Sequence, residues 1–238
     1  MKYFFTVGIN KYNSASFGGQ KIDLNQCVND ALRAYNSIGL ACDQRQLLED
    51  ENATKSEILA NLEYYSKKVQ PGDLFIYHQS SHGTLWYENN GSATTARLAH
   101  DGVIPDWQMA QVWAKFPAGV TIVTLSDLCH AESSQRELMP NTSELKARYM
   151  EYRGAITPKP TDLKITYLAN LWHVSACKFD QVSWEDSKGG VFTTLLLKVI
   201  NDTPVSKSIN VILKDLKKII QKQDPVLERI GKGKVPKL

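Results

Sequence analysis

A cysteine and a histidine stand side by side directly after an apolar run. The run "GVTIVTL" reads as a buried β-strand, and the stretch "SDLCHAES", residues 126–133, follows it. Asp127 lies two residues before Cys129, and His130 is next to the cysteine. Three kinds of chemistry fit these residue types: a metal site, a structural thiol beside an unrelated histidine, or a thiol nucleophile with a carboxylate that recognises substrate.

The spacing argues against the metal site. Zinc ligands commonly come in pairs separated by two or more residues, whereas adjacent side chains such as Cys129 and His130 do not easily bind one ion. We therefore expect no metal site. A buried structural thiol is the ordinary role of a free cysteine, and we assign that role to Cys42.

A nucleophilic thiol needs a base and donors for the developing oxyanion, and a second stretch of the sequence supplies them. In "SSHGT", His82 can take up the thiol proton, and Gly83 allows the backbone to turn its N–H toward a substrate carbonyl. The N–H of Cys129 would be the second donor. For His130 we expect a packing or loop-orienting role, because adjacent side chains at a strand end diverge.

The elements that would position these residues alternate along the chain. Apolar, strand-like runs such as "YFFTVGI", "LFIYH" and "GVTIVTL" are separated by helical patterns such as "CVNDALRAYNSI", which carries Val28, Ala31, Leu32 and Tyr35 at helical spacing. This alternation predicts a mostly parallel sheet covered by helices on both faces. Ligand sites of such sheets lie beyond the carboxyl ends of strands, so His82 and Cys129 are expected at one edge.

The composition is that of an ordinary globular protein. Of 238 residues, 42% are hydrophobic and 22% charged, and the net charge of +3 is too small to argue for nucleic-acid binding. We found no apolar run long enough for a membrane span and no complete signal peptide, and four cysteines do not suggest a disulfide scaffold. We therefore predict a cytoplasmic protein without a nucleic-acid or membrane partner.

Five stretches together resemble the caspase-like cysteine peptidases, particularly the metacaspase and bacterial orthocaspase branch. "FIYHQSSHGT" is similar to the family's Y-x-S-G-H-G histidine motif and "LSDLCHAES" to its D-S-C-H-S-G cysteine motif. The other three are "VGINKY" with "CVNDA", "VSACKFDQVSWE" and "GGVFTTLLL". His82 precedes Cys129 by about 50 residues, the separation typical of the histidine and cysteine of caspases. Two departures are Ser81, where the family has Gly, and Ala131-Glu132, where it has Ser-Gly.

The resemblance implies a fold and a set of site residues. The expected fold is the α/β caspase-like three-layer α-β-α sandwich with a mostly parallel central sheet. Cys129 and His82 would be catalytic, and the N–H groups of Gly83 and Cys129 would form the oxyanion hole. The primary specificity pocket would consist of Cys27, Asp30, Ser80 and Asp127, with Trp184 in the loop that lines the substrate groove.

An acidic pocket favours a guanidinium or ammonium group, so the expected reaction is cleavage after Arg or Lys through a thioester acyl-enzyme. Only Asp101 and Asp106 lie where related enzymes carry calcium-binding aspartates, and Arg136 follows the cysteine motif. This argues against calcium activation, and no cofactor is expected. The partners would be proteins or peptides with basic residues.

The resemblance also predicts how the chain is organised. We expect one peptidase domain over residues 1–238, acting as a monomer. A large-subunit-like part would cover about 1–135 and a small-subunit-like part about 166–238. The exposed connection between them, about 136–165, would be open to self-cleavage. The main alternative is a caspase-fold pseudoenzyme or adaptor that binds partners without proteolysis. A weaker one is a binding module that uses the C-terminal lysines.

Overall fold

A computed structural model describes residues 1–87, 93–130, 165–177, 183–202, 206–221 and 223–238. Side chains are described in these ranges except at 85–87, 93–94 and 129–130. Most of the predicted connection at 136–165 lies outside the described residues, and so does the predicted site of self-cleavage.

Six strands form the central sheet, in the spatial order β2-β1-β3-β6-β7-β10. The first five run parallel, and β10 pairs antiparallel with β7. The far end of β3 also pairs with β4, which pairs with β5 in an antiparallel extension. The strand bounds are β1 Lys2–Gly8, β2 Gln44–Glu49, β3 Leu74–Tyr87, β4 Ala93–Ala99, β5 Gly102–Pro105, β6 Thr121–His130, β7 Asn170–Ser175, β8 Glu185–Asp186, β9 Gly189–Gly190 and β10 Val226–Ile230. The pair β8–β9 is a separate short hairpin.

Helices cover both faces of the sheet. Their bounds are α1 Cys27–Ser37, α2 Lys55–Lys68, α3 Asp106–Trp113, α4 Val191–Asn201 and α5 Ile209–Ile219, with short 3-10 turns at Ser14–Phe17, Ile38–Ala41 and Asp50–Asn52. One apolar cluster joins α1, α4 and α5 to residues such as Val123, and another joins α2 and α3 to residues such as Ile122. Neighbouring positions of β6 serve opposite layers because strand side chains alternate. This is the expected three-layer fold, and the prediction is confirmed.

The helical pattern of α1 is phased differently from the prediction. The side chains turned inward are Cys27, Asp30, Ala31 and Ala34, whereas Leu32 is 38% exposed. The apolar pattern predicted the wrong buried face of α1 because one residue of the true buried face, Asp30, is a carboxylate. The helix sits very close to the sheet: a Cβ on Gly8 would lie 2.5 Å from the Cys27 carbonyl oxygen, so only glycine fits there.

The C-terminal end of β3 also differs from the prediction. We expected the strand to end after "LFIYH" and "SSHGT" to form a turn, but β3 continues to Tyr87. Its backbone remains paired beyond His78 because β6 accompanies it on one side as far as Gly83, where pairing with β4 begins. The segment carrying His82 is therefore extended strand. No helix in the described ranges has the length and apolar character needed to cross a bilayer.

Candidate active site

The two segments that carry His82 and Cys129 pair in register. In the parallel pairing of β3 with β6, Ser80 is opposite Asp127, His82 is opposite Cys129, and Gly83 is opposite His130. The expectation that the histidine and the cysteine lie at one edge of the sheet is therefore confirmed at the level of the backbone. The thiol of Cys129 lies outside the described side chains.

The imidazole of His82 is buried and held from two sides. Its Nε2 lies 2.7 Å from the backbone carbonyl oxygen of Ile22. The phenol oxygen of Tyr12 accepts the backbone N–H of His82 at 2.9 Å, and the two rings pack with centroids 5.3 Å apart. A carbonyl can only accept, so Nε2 must carry the proton of the neutral ring.

This tautomer leaves Nδ1 of His82 with its lone pair. Nδ1 is buried and has no hydrogen-bond partner in the part of the chain that the structure describes. Burial lowers the pKa of His82 from its usual value, and the bond to Ile22 opposes that shift only in part. The ring is therefore neutral near pH 7, with a free nitrogen that can accept a proton.

Among the described residues, Asp30 is one of two buried carboxylates next to this edge. Its Oδ1 accepts Arg33 Nη2 at 2.5 Å, its Oδ2 accepts the Ser80 hydroxyl at 3.1 Å, and both oxygens face the N–H of Gly190 at 3.1 and 2.9 Å. Helix α1, strand β3 and the entry to α4 all supply donors. The side chain of Asp30 is only 1% exposed.

Asp127 is the second carboxylate, and it binds the first turn of α4. Its Oδ2 accepts both the N–H of Thr193 at 3.0 Å and the hydroxyl of Thr193 at 2.7 Å, while its Oδ1 accepts the Ser183 hydroxyl at 2.7 Å. First-turn N–H groups have no partner within their helix, and the helix dipole favours an anion there. Asp127 thus has a structural task in addition to any role in recognition.

The two carboxylates, which we call the acidic pair, lie on either side of Gly190. A Cβ on Gly190 would lie 2.3 Å from Asp127 Oδ2 and 2.8 Å from Asp30 Oδ2. Burial, and then the charge of Asp127, raise the pKa of Asp30 to about 7. Burial also raises the pKa of Asp127, against the hydrogen bonds from Ser183 and Thr193.

A chain of hydrogen bonds leads from Asp127 into the sheet. Thr193 donates its hydroxyl proton to Asp127, so its oxygen accepts from Nε2–H of His78 at 3.2 Å. The other nitrogen, Nδ1, then accepts the Thr6 hydroxyl at 2.8 Å. Burial lowers the pKa of His78 to about 3, so this histidine is neutral and serves to position Thr193.

The caspase domain model of the C14 peptidases matches residues 2–237. This chain belongs to the caspase family. Metacaspase-1 of Plasmodium falciparum is 22% identical over 229 residues, which cover 85% of this chain and 35% of that protein. Metacaspase-1 of Emericella nidulans is 28% identical over 149 residues, covering 54% of this chain and 35% of the relative. The caspase chain thus spans about a third of the length of these relatives.

A solved structure shows the same fold. The crystal structure of a Geobacter sulfurreducens protein superposes with a TM-score of 0.84 and covers 98% of this caspase chain and 94% of its own, at 21% identity. At that identity the likeness concerns the fold. The predicted resemblance to caspase-like peptidases of the metacaspase branch is confirmed by the family match and the relatives together.

The remaining residues predicted for the pocket of the caspase chain lie in different surroundings. Cys27 is buried at the start of α1, with its N–H donated to Asn10 Oδ1 at 2.8 Å. Ser80 is buried and bonded to Asp30. Trp184 is 45% exposed just before β8, and its backbone N–H donates to Gln223 Oε1 at 3.0 Å. Ser80 thus contacts the acidic pair, Cys27 lies three positions before Asp30 on α1, and Trp184 lies at the surface.

Several residues of this site were missed in the sequence. Arg33 follows Asp30 by three positions on a helix, a spacing that places the two on one face and could have revealed the ion pair. Ser183, Thr193 and Gly190 approach Asp127 and Asp30 from a part of the chain far away in sequence. Nothing in their local patterns pointed to this contact.

The two aspartates considered for calcium have other partners. Asp101 Oδ1 accepts the N–H of Lys55 at 2.7 Å, and Asp106 accepts the Thr95 hydroxyl and lies 3.6 Å from Arg97. Among the described residues, no group of three His, Cys, Asp or Glu is arranged to hold a metal ion.

Proposed function

We propose that this caspase chain is a cysteine endopeptidase that cleaves after Arg or Lys. The observation that carries the proposal is the pairing of His82 with Cys129 across β3 and β6, together with the unpartnered Nδ1 of His82 among the described residues. A base of this kind within reach of a cysteine is the requirement for thiol nucleophilic catalysis.

In the proposed reaction, His82 Nδ1 takes the proton of the Cys129 thiol, and the thiolate attacks the carbonyl carbon of the scissile bond. The N–H groups of Gly83 and Cys129 stabilise the oxyanion. When the tetrahedral intermediate collapses, the C–N bond breaks and Nδ1–H protonates the leaving amine. Water then attacks the thioester, His82 accepts its proton, and the carboxylate product leaves as the thiol reforms.

The acidic pair is the proposed basis of specificity. Two carboxylates in one site attract a cation, and a guanidinium can bond to carboxylate oxygens through two parallel N–H groups. The burial of the pair strengthens these interactions because the surroundings have a low dielectric. Substrates would be proteins or peptides with basic residues, and Cys27, Ser80 and Trp184 would complete the binding surface.

We also propose that the enzyme acts as a cytoplasmic monomer. Cys42 is a free, half-buried thiol, which fits a reducing compartment.

The test uses the purified chain and fluorogenic peptides that end in Arg, Lys or Asp. Wild type should release the fluorophore after Arg and Lys, while Cys129→Ala and His82→Ala should each lose about a thousandfold or more in kcat/KM without unfolding. Cys42→Ala is the matched control, because Cys42 is a half-buried thiol near the opposite edge of the sheet. If wild type left all three peptides intact, the adaptor alternative would replace the peptidase.

A further inference from the structure

The acidic pair already holds a cation from its own chain. Arg33 Nη2 donates to Asp30 Oδ1 at 2.5 Å and to Thr194 Oγ1 at 2.8 Å. The Arg33 side chain is 30% exposed and that of Asp30 is 1% exposed, so Arg33 is the partner with access to solvent. We propose that Arg33 determines specificity by occupying the position in which a substrate's basic side chain would meet Asp30. The inference rests on the proposed function, since it takes the acidic pair as the pocket for Arg or Lys.

The backbone of β9 packs tightly against the contact between Asp30 and Arg33. A Cβ on Gly189 would lie 2.3 Å from both Arg33 Nη2 and Asp30 Oδ1, so the backbone of β9 closes directly over this contact. Gly190 covers the other side and donates its N–H to both oxygens of Asp30. A basic side chain from a substrate can therefore reach Oδ1 only after the Arg33 guanidinium has moved away.

The charges around the acidic pair favour the replacement of Arg33 by a basic side chain of the substrate. In the part of the chain that the structure describes, the charged or titratable side chains around the pair are Asp30 and Arg33 on α1, Asp127 on β6, His78 on β3 and Glu185 on β8. When a substrate arginine takes the place of Arg33, the cluster keeps its charge and Asp30 keeps a partner. Exchange therefore avoids the cost of leaving a buried carboxylate uncompensated.

Arg33 makes fewer hydrogen bonds to Asp30 than an arginine in the bidentate orientation would make. A single nitrogen contacts Asp30, whereas a guanidinium can give a carboxylate two parallel N–H bonds. Its Nε is buried and has no hydrogen-bond partner in the described ranges. A substrate guanidinium free to approach in the bidentate orientation can therefore displace it. Substrate binds only while the pocket is open, so its apparent affinity is the intrinsic affinity multiplied by the fraction of time that Arg33 leaves the pocket open.

The experiment removes Arg33 and measures affinity separately from turnover. Arg33 lowers the pKa of Asp30, so its removal raises that pKa, and the constants are compared at about pH 9 to keep Asp30 ionised. There, Arg33→Met should lower KM for the Arg peptide about 5- to 10-fold and lower the inhibition constant of methylguanidine similarly, with kcat changed less than about twofold. Arg45→Met is the matched control, since Arg45 also packs on α1, with its guanidinium 4.2 Å from the Tyr35 ring and 3.0 Å from the Tyr35 carbonyl. That control should leave both constants at the wild-type values.

A second variant covers the case in which Arg33→Met folds poorly. Thr194→Val preserves side-chain shape but removes the hydroxyl that anchors Arg33 to α4, so it should lower both constants in the same direction by a smaller factor. Suppose that wild type cleaves after Arg, and that both variants fold but keep the wild-type constants. The proposed role of Arg33 would then be wrong, while the proposed function would stand.

A thermal-shift arm separates this inference from the proposed function. With methylguanidine as the probe, Arg33→Met should gain more in Tm than wild type or Arg45→Met, whether or not the chain cuts peptides. A gain without proteolysis would support the cation pocket and reject the peptidase. Equal shifts in all three proteins would reject the role of Arg33.

Discussion

The backbone carbonyl oxygen of Ile22 lies 2.7 Å from Nε2 of His82 and thereby decides which nitrogen of the imidazole is free. With Nε2 as the donor, the proton-accepting nitrogen is Nδ1, whose lone pair has no partner among the described residues. A backbone group outside every recognisable motif therefore orients the candidate base.

The first prediction concerns pH. The raised pKa of Asp30, about 7, means that this carboxylate loses its charge as the pH falls through 7. His82, with a pKa below the usual 6.5, is still neutral in that range. For the Arg peptide, KM should therefore rise below about pH 7 while kcat holds to lower pH. The measurement is a set of kcat and KM profiles from about pH 5 to 8.

Asp30→Asn provides the control for this profile. The variant should bind the Arg peptide more weakly at high pH, and the step in KM near the pKa of Asp30, about 7, should disappear. A fall in wild-type kcat over that same step would contradict the assignment, because it would mean that His82 titrates there.

The second prediction concerns Asp127. Its described contacts are all with donors, so Asp127→Asn would turn an amide NH2 toward Ser183 or Thr193 in addition to removing the charge. The expected loss in kcat/KM for Arg and Lys peptides is roughly a hundred- to several-thousandfold, corresponding to the ~3–5 kcal/mol typical of breaking a buried ion pair. A lower Tm should accompany it, because the start of α4 loses an anionic acceptor.

Steady-state kinetics and thermal melts on the same samples separate the two effects. Equal cleavage of Arg peptides by Asp127→Asn and wild type would contradict the acidic pocket. So would a wild-type preference for Asp or apolar residues before the scissile bond. The assignments of Cys129 and His82 do not depend on either outcome.

The third prediction tests the hydrogen-bond chain through Thr193. Thr193→Val leaves the buried Nε2–H of His78 without its acceptor and should cost about 1–3 kcal/mol in the free energy of unfolding. Thr193→Ser keeps the hydroxyl and should cost clearly less. Urea denaturation at neutral pH, where His78 is uncharged, measures both, and equal losses in the two variants would mean that the hydroxyl contributes nothing.

The fourth prediction is self-cleavage within residues 132–165, at one or more of the basic residues there, such as Arg136, Lys146 or Arg153. The segment is rich in charged and polar residues and has little apolar periodicity, which predicts an exposed substrate. Intact-mass spectrometry after long incubation should show fragments in wild type that are absent from Cys129→Ala. Two identical intact masses would show that the enzyme works as an uncut chain.

The alternation of strands and helices and the meeting of His82 with Cys129 followed from the sequence by itself. These conclusions depend on local periodicity and on one general property of parallel sheets, that strand ends converge at one edge. The prediction that Asp30, Ser80 and Asp127 form a pocket came from motifs that resemble those of a family. No contact had to be known for these inferences, because each used either neighbours in sequence or a rule that holds for every such sheet.

Only the tertiary structure decided where β3 ends, which face of α1 is buried and what surrounds the acidic pair. Asp30 lies inside because Ser80, Arg33 and Gly190 give it donors from three parts of the chain. A buried carboxylate depends on such partners for its stability, and partners distant in sequence leave no trace in local periodicity. The same reason explains why sequence reasoning found Asp127 but missed the helix start that binds it, whereas Arg33, three positions after Asp30, is the one partner that local spacing could have revealed.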